Sequence, residues 1–133
     1  MNADPNVRLV AMGDMFGDRI DNSWKSLKGI GKERFDVKAQ NKFLGFDAYK
    51  KVVDMVDVVI LTTPPLFRPQ HLEYAVGQKK HVFFEKPVAV DPTGVRKVIE
   101  MAKKAKAQNT AMMSGFCWRY HYPKRETFQR VLD

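Results

Sequence analysis

The strongest constraint on the fold is the run Val58, Val59, Ile60, Leu61 and Thr62, apolar or β-branched throughout, opened by Asp57 and closed by Thr63, Pro64 and Pro65. Such a run has no polar face to turn to water, so it reads as a strand covered on both sides. Three further stretches share its character. They are residues 7–12, with Val7, Leu9, Val10, Ala11 and Met12; Val82, Phe83 and Phe84 after His81; and residues 110–116, which end in Gly115 and Phe116. Parallel strands of this kind need crossover connections of a dozen residues or more, usually helical.

The segments between them have helical period. After Asp18, the residues Ile20, Trp24, Leu27 and Ile30 recur at one-face spacing, and Gly29 and Gly31 end that helix. Residues 32–45 are polar and aperiodic, a loop with room for a short edge strand. Asp47 can cap a short helix carrying Tyr49, Val52, Val53 and Val56. Pro69 suits the first turn of a helix that turns Leu72, Ala75 and Val76 inward and ends at Gly77. Asp91 and Pro92 open the longest helix, striped by Val95, Val98, Ile99, Ala102 and Ala105. Phe128, Val131 and Leu132 begin a last helix, and Asn2, Asp4 and Pro5 look like punctuation after an earlier one. This alternation predicts an α/β fold, a doubly wound parallel sheet of Rossmann-like type. With 133 residues, 44% of them hydrophobic, the chain can build one core of ordinary domain size and not two.

The formal net charge is +8, from 23 Lys and Arg against 15 Asp and Glu. A basic excess suits an acidic partner, but much of it falls on helix faces, as in Lys97, Lys103, Lys104 and Lys106, where solvation is the commoner role. A small basic nucleic-acid binder is therefore the weakest reading, and no nucleic-acid partner is expected. Cys117 is the one cysteine, which excludes an internal disulfide framework. No apolar run is long enough to span a membrane, and the first residues have no signal-peptide pattern. The compartment stays open, with the cytoplasm as the default.

Chemistry concentrates at strand ends. Glu85, Lys86 and Pro87 follow the apolar Val82, Phe83 and Phe84, and Pro87 keeps Lys86 out of the α region. In open α/β sheets ligands occupy the crevice beyond the carboxyl ends of the strands, so an acid and an amine there are candidates for chemistry; the plainer alternative is a salt-bridged pair. Asp14 follows the first strand. An acid at that place can bind ribose hydroxyls and repel a 2′-phosphate, although Asp is also a common turn residue and Arg19 stands nearby. Thr62, Thr63, Pro64 and Pro65 either border a ligand or simply end a strand. His71 lies early in the next helix, where a histidine is more often structural than catalytic.

The run His81, Val82, Phe83, Phe84, Glu85, Lys86, Pro87, with the Thr63, Pro64 turn and His71 upstream, resembles the Gfo/Idh/MocA family of dinucleotide-dependent oxidoreductases. Ser114, Gly115, Phe116, Cys117, Trp118, Arg119 and Tyr120 look like that family's last Rossmann strand and its exit. The resemblance implies hydride transfer between NAD or NADP and an alcohol or sugar-derived substrate, with NAD favoured by Asp14. It makes Lys86 the catalytic proton-transfer residue. Asp14, Thr62, Thr63, Pro64, Pro65, His71, Glu85, Lys86 and Arg119 become cofactor or substrate neighbours. No metal is implied, and Cys117, Trp118, Met112 and Met113 read as packing.

Two departures accompany the match. The glycine-rich turn that holds the pyrophosphate is missing, since Gly29 and Gly31 end a helix, and nothing corresponds to the family's second, substrate-binding domain. Residues 1–133 are thus expected to be a partial, truncated Rossmann domain. In the usual 3-2-1-4-5-6 order its open strand position lies between residues 7–12 and residues 58–62. A chain so built should be poorly stable or self-associating, a homo-oligomer, and inactive alone. A non-catalytic dinucleotide-binding or regulatory module is the alternative reading.

Overall fold

A computed structural model describes residues 4–31 and 33–133; the helix-end reading of Asn2 and the first loop residue, Lys32, lie outside the described residues. Strands and helices alternate as β1 Met12–Asp14, α1 Gly17–Leu27, β2 Lys42–Leu44, α2 Ala48–Met55, β3 Val58–Leu61, α3 Arg68–Gly77, β4 His81–Glu85, α4 Pro92–Ala107, β5 Met112–Gly115 and α5 Tyr122–Leu132. Every strand pair is parallel. The strands form two sheets, β1-β2 and β3-β4-β5. The fold is α/β and Rossmann-like, as expected.

Helix α2 links the two sheets. Val53 is fully buried in the main core with Val59 and Leu61 of β3, while the neighbouring Val52 reaches β1. At Gly13 a Cβ atom would sit 2.9 Å from Val52 Cγ2, so a glycine is what allows helix and strand to approach this closely. The rest of the core is Leu72, Ala75 and Val76 of α3, Val82 and Phe84 of β4, and Val98, Met101 and Ala105 of α4. Each large side chain among them contributes on the order of 1.5–3 kcal/mol through burial.

Several details differ from the sequence reading. The strand expected at residues 7–12 is displaced to Met12–Asp14, because Lys42–Leu44 aligns with those three residues alone. Upstream, Leu9 makes one bridge to Phe35, donating its N–H to the Arg34 carbonyl and accepting from the Asp36 N–H. Gly13 and Asp14 therefore belong to the strand. Asp47 does not cap α2 with its side chain; its backbone is not extended, as an N-cap requires, and its carboxylate pairs with Lys50 at 2.8 Å. Asp91 does cap α4, accepting from the Gly94 N–H at 2.6 Å. The inward stripe of α4 is Val98, Met101 and Ala105, whereas Val95, Ile99 and Ala102 face out. Helix α5 begins at Tyr122, six residues before Phe128, since Pro123 is tolerated in a first turn.

The three-stranded sheet is packed on one face. Along β3, Val59 and Leu61 are buried while Val58 and Ile60 are exposed, and Met113 of β5 is exposed as well. No described helix is long and apolar enough to cross a membrane.

Candidate functional site

The register brings the carboxyl ends of β3, β4 and β5 to one edge. Leu61 pairs with Phe84, and Glu85 with Gly115, so the Thr62–Thr63 segment, Lys86 and Phe116 all leave the sheet on the same side. Asp14 leaves β1 in the other sheet, opposite Leu44. Parallel pairing delivers these residues together, because every strand of the sheet then ends at the same edge.

Helix α3 organises that edge. The first residue of the helix, Arg68, is 2% exposed. Its Nη1 donates to the Pro87 carbonyl just after Lys86, and its Nη2 donates to the Thr63 carbonyl just after β3. Burial pushes the guanidinium pKa down while the Glu85 carboxylate opposes that shift, and the group stays charged. Its Nε is buried without a partner. One turn on, His71 is 8% exposed and its Nδ1 lies 3.2 Å from Thr63 Oγ1. Its ring stacks on Tyr49 at a centroid distance of 3.9 Å, with Phe67 at 6.2 Å on a nearly parallel plane. Burial alone pushes its pKa down to about 4, so the imidazole is neutral at pH 7.

Glu85 is partly buried at the end of β4, and its side chain lies over Gly115. Lys86 is exposed and, among the described residues, makes no ion pair or hydrogen bond through its amine; the Lys86–Pro87 bond is cis. A Glu85–Lys86 salt bridge, the plainer alternative for this pair, does not form. Asp14 Oδ1 accepts from the Phe16 N–H at 3.0 Å, which shapes the turn into α1 and leaves Oδ2 unused among the described contacts. Thr62 and Pro64 are exposed, and Pro65 is half-buried.

Arg119 stands apart from this grouping. It sits in the single 3-10 turn after β5 and lines a shallow cleft with Trp118, Arg125, Phe128, Gln129 and Leu132, none of which belongs to the strand-end cluster. Arg68 was missed by sequence reasoning. Its one local mark is a cation directly before a helix-opening proline, which does not name its acceptors.

Comparison with known proteins agrees with this architecture. The family described as an oxidoreductase family with an NAD-binding Rossmann fold, GFO_IDH_MocA, matches over residues 20–113. Myo-inositol 2-dehydrogenase from Lactobacillus plantarum is 26% identical with a TM-score of 0.73, over 98% of this chain and 34% of that one. An NAD binding oxidoreductase from Klebsiella pneumoniae is 25% identical with a TM-score of 0.60, over 82% of this chain and 25% of that one. Scyllo-inositol dehydrogenase from Lactobacillus casei, solved with NAD(H) and scyllo-inositol, shares the fold at 22% identity and a TM-score of 0.69, over 96% of this chain and 34% of that one. The chain thus spans about a third of the length of these dehydrogenases. No curated protein sequence matches it.

The polar groups at the strand ends are of the kind a dinucleotide can use: Asp14 keeps one carboxylate oxygen unused among the described contacts, and the level ends of β3, β4 and β5 bring Thr63, Glu85 and Lys86 to one edge. Among the described residues no glycine-rich turn links a strand to a helix to hold the pyrophosphate. Nor do three or more His, Cys, Asp or Glu side chains gather as a metal site.

Proposed function

The chain belongs to the GFO_IDH_MocA family of oxidoreductases with an NAD-binding Rossmann fold, and we propose that its strand-end edge binds the dinucleotide and carries the proton-transfer residue of a dehydrogenase. The observation that carries this reading is Lys86: an unpaired amine at the carboxyl end of β4, beside the level ends of β3 and β5. Asp14 holds the adenosine ribose, which favours NAD over NADP, because its charge repels a 2′-phosphate. Thr62, Thr63, Pro64 and Pro65 border the nicotinamide side with Glu85, and His71 supports that border by fixing the Thr63 hydroxyl. A bound nicotinamide supplies the hydride acceptor or donor. Lys86 takes the proton from the substrate hydroxyl, or returns it, a role that demands an amine able to shed its charge.

The substrate is an alcohol or sugar-derived polyol, in keeping with the inositol dehydrogenases among the structural relatives. Residues 1–133 constitute the dinucleotide-binding part of such an enzyme. Turnover by these residues alone is not expected, since Lys86 stands exposed at the sheet edge. The test is titration of the 15N-labelled chain with NADH. Resonances of Asp14, Thr63, Lys86 and Gly115 are expected to shift together in saturable fashion. Shifts confined to α5 and Arg119, or no shifts with either NADH or NADPH, would overturn the reading.

A further inference from the structure

A buried arginine at a helix start is costly unless its donors are used, and Arg68 spends two of them on carbonyls from different strand-end turns. One is Thr63, after β3; the other is Pro87, after Lys86. No strand-to-strand hydrogen bond reaches either residue, because the β3-β4 ladder ends at Leu61 and Phe84. Beyond the ladder, the described hydrogen-bonding link between the Thr63 turn and the Lys86–Pro87 turn is one planar guanidinium. The support is rigid at its other end too. Pro69 packs against Gly94 of α4, where a Cβ atom would meet Pro69 Cγ at 3.1 Å, and His71 holds Thr63 through its hydroxyl.

We propose that Arg68 is a positioning residue: its guanidinium staples the turn after β3 to the turn after β4 and so sets where Lys86 stands over the crevice. This rests on the reading of Lys86 as the proton-transfer residue. Arg68 does not touch the reacting atoms; it acts on Lys86 through the carbonyl of Pro87. The fork geometry is essential. A lysine ammonium is a point charge that cannot address two separated carbonyls in one plane, so Arg68→Lys keeps the charge and loses the staple, while Arg68→Met keeps the length and loses both.

The test uses the whole chain and two cofactor-free measurements. In the first, the rate of acylation of Lys86 is followed against pH by mass spectrometry, with the exposed Lys103 as internal reference. In folded Arg68→Lys and Arg68→Met the Lys86 profile is expected to depart from that of the parent while the Lys103 profile superimposes; a merely structural arginine would leave both unchanged. Superposition of the Lys86 profiles overturns the proposal. The second needs no variant and so survives a failure of either to fold. With each Nη held by a different carbonyl, rotation about the Nε–Cζ bond is hindered, and the two Nη groups of Arg68 are expected to give separate NMR resonances. A single averaged resonance, as from an exposed arginine, overturns the staple. Neither readout depends on NADH, so loss of the cofactor reading would show in the NADH titration alone.

Discussion

Glu85 and Gly115 face each other across β4 and β5, and the side chain of the one fills the space that a side chain on the other would need. A Cβ on Gly115 would lie 3.0 Å from Glu85 Oε2 and 3.0 Å from the Phe83 ring. Gly115→Ala must displace the carboxylate or the ring. The carboxylate is the softer of the two, since it ends a flexible side chain, so the stability loss is expected to be about 1 kcal/mol or less. Its larger consequence falls on the Glu85 resonances and on NADH binding. Denaturant melts together with the NADH titration check this; a variant that melts and binds like the parent would mean that Glu85 is not held there.

The buried His71 makes stability depend on mildly acidic pH. Its pKa is lowered from 6.5 to about 4 by burial, so the unfolded chain binds the proton more readily than the folded one. Stability is therefore fully present above about pH 6.5 and is lost as pH falls from there toward 4, by roughly 3 kcal/mol in all. Urea melts at pH 7 and pH 4.5 should show the loss in the parent and a smaller one in His71→Phe, whose ring can keep the stack on Tyr49. Asp21 and Asp47 titrate lower, since lysine partners pull their pKa values below 3.8, and so act outside this window. An equal loss in parent and variant would assign the dependence elsewhere.

The elements were legible because their signals are local. The unbroken apolar runs of β3 and β4, the Asp91–Pro92 start of α4 and the Pro69 start of α3 each carry their own cue in adjacent residues. What escaped depends on partners distant in the chain. The bounds of β1 follow from where residues 42–44 align, and the inward face of α4 follows from which side α3 presents. Arg68 escaped for the same reason: its two acceptors lie 5 and 19 residues away in sequence, and nothing in the local pattern names them. The position of Glu85 and Lys86 at the end of β4 was readable from the sequence, whereas the stacking of His71 on Tyr49 was not, because Tyr49 comes from α2.

Asp14 offers a direct test of cofactor choice. One carboxylate oxygen is engaged by the Phe16 N–H and the other is unused among the described contacts, so replacing the acid with asparagine keeps the turn and removes the charge. In Asp14→Asn, NADH binding is expected to weaken by about tenfold, in line with the value of a hydrogen bond to a charged group, while NADPH loses its electrostatic penalty. Parallel titrations with both dinucleotides measure the ratio. A ratio unchanged from the parent would remove Asp14 from the ribose site.

Ile60 and Leu61 are chain neighbours on opposite faces of β3, at 59% and 4% exposure. If the sheet is packed on one face in solution, their truncation costs must differ sharply. Leu61→Ala leaves a hole beside Val53, Leu72 and Phe84 and is expected to lower stability by about 2–5 kcal/mol. Ile60→Thr replaces an ethyl group with a hydroxyl at a position already in water and keeps the β-branch that suits a strand, so its cost should stay within about 0.5 kcal/mol. Self-association would reverse this contrast. A second copy laid over Val58, Ile60 and Met113 would bury Ile60, and its replacement would then cost stability in a way that grows with protein concentration. Melts of both variants at two concentrations, with sedimentation velocity on the parent, separate the cases. A costly, concentration-dependent Ile60→Thr with a dimeric parent would show the exposed face to be an interface, and a cheap one with a monomeric parent would show it open to solvent.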